Sequence, residues 1–395
     1  MATIVDLDLA RDLEKFGLVG NNACFSCGTC TVTCSLSEGE VVFPRKGIRL
    51  AQIGLKEKFE SSVEPWLCYY CGECSKTCPR EAEPGEQMMA FRRYLTSAYD
   101  WTGLSRKFYV SKAWEIGAIL LVGIFVLSLF GIYHWMNPGQ IVWGLEGGYV
   151  HINSFAPAHL IHYGDWAMAA FLTFFLLTNV LNMWRKVMFS DPLLKVPWYL
   201  YIQKAYLLAW SFAFQPSFSK CENRKQFWGM HLLFVSGYVI MFSLVMIFLF
   251  SFQIDQGVNW TTPLGYYATA VLLFGIGFCI FGRFQKTESI HKYSHFSDWT
   301  FLAMLFLVVV SGILVHVFRV WLLWPGATFA MYAFHLAVAV AMLVIEVPFS
   351  KWAHLAYRPI AIYLSEVKKA AMALEPASAQ NGKPSAGTIV VEVNA

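Results

Sequence analysis

The stretches "CFSCGTCTVTC" (residues 24–34) and "CYYCGECSKTCP" (residues 68–79) carry eight of the chain's ten cysteines at one repeated spacing, C-x2-C-x2-C-x3-C. A loop of this length aims three sulfurs at one centre and sends the fourth away from it. Outward from these motifs the composition divides. Of 395 residues, 57% are hydrophobic, 17% aromatic and only 14% charged, and long apolar runs dominate from Trp114 onward, which is the composition of a membrane protein. Residues 1–105 are charge-rich, hold every clustered cysteine and contain no run long enough to span, so they read as a separate soluble module. Neither a basic n-region nor an apolar h-region opens the chain. The module is therefore expected in the cytoplasm, where clustered thiols hold metal more often than they form disulfides.

Zinc knuckles pair two CxxC units rather than run three cysteines in series, so the motifs point to iron and sulfide. In two-cluster ferredoxins the fourth cysteine of each motif ligates the other cluster. The expected ligands are Cys24, Cys27, Cys30 and Cys78 for one [4Fe–4S] cluster, and Cys68, Cys71, Cys74 and Cys34 for the second. Between and after the motifs, "VVFPRKGIRLAQIGLKEKF" and "MMAFRRYLTSAY" read as helices. Helix, cluster loop, helix, cluster loop, helix is an α-helical ferredoxin arrangement, although Ser35 stands where proline often follows the first motif. Cys221 and Cys279 stand alone and read as packing residues.

The fold class is all-α throughout. Six runs can cross a hydrocarbon core of ~30 Å: Trp114–Met136, His159–Trp184, Trp228–Phe252, Leu264–Phe284, Trp299–Leu323 and Thr328–Ser350. The segments after the second, fourth and sixth runs hold Arg185, Lys186, Lys195, Lys204, Arg224, Lys286, Lys292, Lys351 and Arg358, whereas loops 137–157 and 253–263 hold no Lys or Arg. By the positive-inside rule both termini face the cytoplasm. The aromatic stretch 193–220, broken by Lys195, Pro197, Lys204 and Pro216, is expected to lie in the interface. A spanning domain is thus expected over 106–358 and a tail over 359–395, disordered from about Glu375.

Ionisable residues inside a membrane mark cofactors or ion paths. His231 opens the third run, His335 lies within the sixth and His354 ends it. The 19 residues from His335 to His354 span about 28 Å of helix, too far for one metal but suited to two haems at two depths. On the far side His162 and His316 are the available partners for His335.

Two resemblances follow from these residues. "HLAVAVAMLVIEVPFSKWAH" (335–354) resembles the last helix of the nitrate reductase gamma subunit family, and "WGMHLLFVSGYVIM" (228–241) an earlier haem-binding helix of that family. The resemblance implies a b-type haem between His231 and His354. Met241 occupies the place of the family's next ligand, which leaves the outer haem to His335 with His162 or His316, to a different ligation, or absent. Through both cysteine motifs and "PRKGIRLAQIG" (44–54), the N-terminal hundred residues resemble the iron–sulfur C subunit of heterodisulfide reductase. The combination is similar to membrane subunits of the quinone-interacting membrane-bound oxidoreductases of sulfur-metabolising bacteria.

That resemblance implies menaquinone as the lipid carrier and two soluble flavin/iron–sulfur subunits as partners. It also implies adenylylsulfate reductase beyond them, and a place in the bacterial cytoplasmic (inner) membrane. A quinone site is expected where His162 and Asp165, three residues apart, face His316 and Arg319, also three apart. Glu346, His291 and His295 form the competing location. The glycines of "GLEGGYV" (144–150) precede no crossover helix and carry no nucleotide site. The alternative function is a heterodisulfide reductase-type subunit with another lipid carrier.

Overall fold

The structure, a computed structural model, describes residues 5–38, 41–221, 225–286 and 289–374. Among these, the only strands are a two-residue pair, Leu145–Glu146 with Tyr149–Val150, in the glycine-rich loop. Six helices are long and apolar enough to cross a membrane: Lys112–Met136, Ala158–Met188, Lys225–Met246, Thr262–Gln285, Phe296–Trp321 and Pro325–Phe349. These are the expected runs with their ends moved by a few residues. Leu120, Leu121, Ile124 and Phe125 stay exposed on the first, as helices apolar all round do when lipid is their solvent. Leu272, Ile276, Leu305, Val309, Ala341 and Ile345 form the buried seam between helices. The fifth helix closes in a π-helical turn, Val317–Trp321, a form that collects at functional sites.

The stretch 193–220 does not span. It breaks into Trp198–Lys204, Tyr206–Phe214 and Pro216–Ser219, with Pro197 capping the first and Pro216 opening the last, positions where a missing N–H is tolerated.

The N-terminal module consists of short helices, Leu9–Glu14, Thr29–Thr33, Arg45–Gln52, Lys56–Glu60 and Glu73–Lys76, under the longer Pro84–Tyr99. Its core is Phe16, Phe43, Ile48, Phe59, Met88, Phe91 and Leu95, all buried.

Three expectations change here. His354 does not end the sixth membrane helix, because Ser350 leaves helical geometry (φ −135°, ψ −142°), a 3₁₀ turn follows over Lys351–Ala353, and His354 opens a new helix, His354–Ala373. The boundary at 358/359 consequently falls inside a continuous helix. Nor is the module a separate unit: Tyr357, Ala361, Leu364, Val367 and Ala371 share one buried core with Leu9, Phe16, Trp66 and Phe91, joined by Met183, Val187 and Met188 of the second membrane helix. The spacing of those five residues, three to four apart, is an amphipathic stripe. Arg224 and the tail from Glu375 lie outside the described residues.

The basic loops have partners. Lys186 pairs with Glu60, Lys292 with Glu83 at 3.1 Å, and Lys220 of the interfacial stretch with Glu38 at 3.2 Å. The lysine-rich end of the bundle is therefore the end that holds the module. Deeper, Arg93 of the module's long helix reaches Glu86 at 3.0 Å and Asp298 of the fifth membrane helix at 3.9 Å, and Lys351 closes on the same Asp298.

Candidate electron-transfer site

The two cysteine loops are built alike. In each, the residue two after the first cysteine is left-handed (Ser26, φ 57°; Tyr70, φ 55°) and donates its N–H back to that cysteine's sulfur, at 3.4 Å for Cys24 and 3.3 Å for Cys68. Gly28 (φ 94°) and Gly72 (φ 84°) then turn the chain into the helical turn bearing the third cysteine, a conformation glycine takes without strain. The intervening helix clamps the first loop. Gln52 donates to the carbonyls of Asn21 and Cys24, both at 2.9 Å, and Arg45 to the Ser26 hydroxyl at 3.1 Å. Thr77 Oγ1, donating to Thr33 Oγ1 at 3.3 Å, ties the loops together.

This pairing crosses the fourth cysteines over. Cys30 has Cys24, Cys27 and Cys78 as electrostatic neighbours, while Cys34 has Cys68 and Cys71. A cavity of about 140 Å³ is lined by Cys34, Cys68, Cys71 and Cys74. Among the described residues no three His, Cys, Asp or Glu close on a single ion. Burial pushes the Cys34 thiol up to about 12, and the neighbouring thiols add to it. Burial likewise raises Cys30 and Cys74. Sulfurs so placed become thiolates when cations compensate them, and the donor set fits two iron–sulfur clusters.

Beside the second cysteine set the structure brings His231 and His354 together. His354 is half-buried, and its basicity falls well below the ordinary value through desolvation first, then through Arg358, with His231 among the further contributors. Its Nδ1 is 2.8 Å from the Lys351 carbonyl, which leaves Nε2 as the free ligand atom, the orientation expected of a metal-binding histidine. His231 has a buried Nδ1 without a partner. The two imidazoles are the residues that would hold an iron-centred group placed between them.

From this pair, contacts lead to the second cysteine set along two routes. His231 packs edge-on against Phe218 at 6.0 Å, and Phe218 stacks on Tyr69 at 4.7 Å, next to Cys68. On the helix that His354 opens, Arg358 lies 4.4 Å over the Tyr69 ring and donates to the Cys68 carbonyl at 3.2 Å, where Arg92 also donates.

At the far end the expected constellation is only partly assembled. His335 meets neither His162 nor His316. Its Nδ1 is 2.9 Å from Ser311 Oγ and its ring lies against Gly312. His316, more than a turn further along, turns to the Tyr266 hydroxyl at 2.8 Å, and His162 accepts from Trp166 at 3.0 Å. Asp165 and Arg319 form no ion pair. Tyr332 is an electrostatic neighbour of both and donates to Gln253 at 2.6 Å, while Arg319 donates to the Ile254 carbonyl. Asp165 is buried with one carboxylate oxygen unpartnered. Of the competing set, His295 caps the fifth helix through Ser297, and Glu346 accepts from the Lys351 N–H at 3.1 Å.

Comparison with known proteins bears on the module. Residues 20–82 match the family model of the 4Fe-4S dicluster domain. The module is similar to the C subunit of heterodisulfide reductase. A protein of Archaeoglobus profundus described as like that C subunit is 30% identical over 98 residues, 25% of this chain and 52% of the relative. The C subunit of the H(2):CoB-CoM heterodisulfide,ferredoxin reductase of Methanothermobacter thermautotrophicus is 32% identical over 79 residues, 20% of this chain and 43% of the relative. The E subunit of the dihydromethanophenazine:CoB--CoM heterodisulfide reductase of Methanosarcina thermophila is 25% identical over 152 residues, 34% of this chain and 57% of the relative. The chain spans about half the length of the curated relatives it matches. No solved structure matches it.

Sequence reasoning missed Phe218, Tyr69 and Arg358, which link the histidines to the second cysteine set, Tyr332 and Gln253 at the far end, and the place of Cys221. Arg358 carried a usable signal: four residues after His354, it shares that residue's helix face.

Proposed function

We propose that this chain is the membrane subunit of an oxidoreductase, moving electrons between a menaquinone pool and two soluble flavin/iron–sulfur partners. Haem b held by His231 and His354, and the two [4Fe–4S] clusters, are its carriers. Adenylylsulfate reductase lies beyond the partners, and the membrane is the bacterial cytoplasmic one with the module inside. The observation that carries this reading is the contact of the His231–His354 pair with the Cys68 loop through Phe218, Tyr69 and Arg358. Haem and clusters exchange single electrons, whereas a quinol gives up two together with protons. The chain's own residues hold and insulate. Lys351 fixes the His354 tautomer through its carbonyl, and Arg92 and Arg358 place positive charge at the Cys68 loop. His335, with His162, His316 or neither, remains the candidate ligand of a second haem, and Asp165 the candidate proton acceptor at a far-end quinone site with Arg319 nearby.

The test is a reduced-minus-oxidised spectrum of the purified chain with iron and haem quantified. His231→Ala and His354→Ala should each remove the same low-spin b-type component and leave the cluster signals. Retention of that component in both variants would refute the haem assignment. One observation favours a second reading, a heterodisulfide reductase-type subunit served by a different lipid carrier: the relatives carry that name, one with dihydromethanophenazine in it. Reduction by a menaquinol analogue but not by a dihydrophenazine separates the two.

A further inference from the structure

The cavity of the second cysteine set has a fifth thiol. Cys221 follows the interfacial turn Pro216–Ser219, between the second and third membrane helices, and lines the same cavity as Cys34, Cys68, Cys71 and Cys74. It is 5% exposed and packs with Tyr69 and Phe218. Its N–H donates to the Phe218 carbonyl at 3.1 Å, fixing the turn that presents it. The side chain hydrogen-bonds Cys71, and Cys68 and Cys34 are its next thiol neighbours. Three of the four assigned ligands therefore surround it.

A cubane takes four thiolates, and Cys34, Cys68, Cys71 and Cys74 supply them. The fifth sulfur is in excess. A thiol beside a ligand thiolate can only donate. Hydrogen bonds to the ligand sulfurs tune such clusters. The sign follows from charge: the reduced cluster carries one more negative charge than the oxidised one, so a donor to its sulfur stabilises the reduced form more. The backbone donors at Cys24 and Cys68 are matched between the two loops. Cys221 is added to the second loop alone.

Resting on the two-cluster reading, we propose that Cys221 is a hydrogen-bond donor lent by the membrane domain to the second cluster, through the Cys71 sulfur, and that it raises that cluster's reduction potential. It acts as a positioning residue and not a ligand. The poise of the cluster nearest the histidine pair then depends on the docking of the interfacial segment.

The full-length protein with Cys221→Ala and with Cys221→Ser tests this by redox titration followed by electron paramagnetic resonance. Both variants should keep the iron content of two clusters. In Cys221→Ala the second cluster should become harder to reduce by about tenfold in its equilibrium, ~59 mV for one electron, with the first cluster unmoved. Cys221→Ser, still a donor, should recover most of the shift. Exchange into D2O should reveal a deuteron coupled to the second cluster in the parent and in Cys221→Ser, absent in Cys221→Ala. An unchanged midpoint in Cys221→Ala overturns the inference. So does selective loss of the second cluster in both variants, which would make Cys221 a ligand. A parent protein without two clusters would instead overturn the underlying reading.

Discussion

At the scale of single residues, the crossed cysteines make the sharpest prediction. Cys78→Ala should damage the cluster of Cys24, Cys27 and Cys30, with which Cys78 shares a neighbourhood, and leave the Cys68 cluster; Cys34→Ala should do the reverse. Spectra of the reduced variants decide it, and loss of the sequence-nearer cluster in each would mean an uncrossed arrangement. In the sequence the spacing brings three sulfurs of each motif to one centre, and the precedent of two-cluster ferredoxins sends the fourth to the other. Glu64 was not legible there, since its partner comes from another helix. Burial pushes its carboxyl up, yet Lys46 at 2.6 Å and the Ser62 hydroxyl outweigh this and hold it below the usual carboxylate range. A group lowered on folding stabilises above its unfolded value, ~4.3, and that gain disappears as pH falls through the lowered value. Glu64→Gln should therefore cost roughly 1–3 kcal/mol at pH 7, measured by thermal melting, with the difference from the parent shrinking in acid.

At the scale of elements, all six membrane helices were readable from apolar length, because lipid demands continuous helix and nothing in the loops competes. The helix His354–Ala373 was misjudged for a physical reason: its stripe is split by Arg358, Pro359 and Ser365, and its partner core lies more than two hundred residues away in sequence. Tyr357 is fully buried, 5.0 Å from Trp66 and 5.5 Å from Tyr99 between ring centres. Tyr357→Ala should cost about 3–5 kcal/mol, as aromatic-to-alanine changes in cores do, and lower iron retention on heating although residue 357 touches no cysteine loop. At the far end, Asp165 and Arg319 form no ion pair, because helical spacing fixes which side chains share a face of one helix, not which face meets which. Tyr332, an electrostatic neighbour of both, is bonded instead to Gln253. Asp165→Asn should slow reaction with a quinol analogue by about a hundredfold if its carboxylate takes the proton, leaving dithionite reduction intact; normal kinetics would shift attention to Glu346 and His295.

At the scale of the whole molecule, module and bundle are joined by buried charge. Arg93, Asp298 and Lys351 meet in one place, and removing the anion strands Lys351 while Arg93 keeps Glu86, a loss of roughly 3 kcal/mol. Asp298→Asn should loosen the joint, seen as faster proteolysis around Gly103 at unchanged span content; an unaltered cleavage rate would show that the apolar core suffices. That core has a consequence for how the protein comes into being. Because Tyr357, Leu364 and Val367 complete the packing around Phe16 and Phe91, the first hundred residues emerge from the ribosome lacking the wall that closes them. They wait, incompletely folded, until the sixth membrane helix has been threaded and the last helix folds back. Iron delivery is thereby tied to the synthesis of that helix: a nascent chain arrested after residue 350 should bind clusters poorly, and one released after residue 374 should bind them fully.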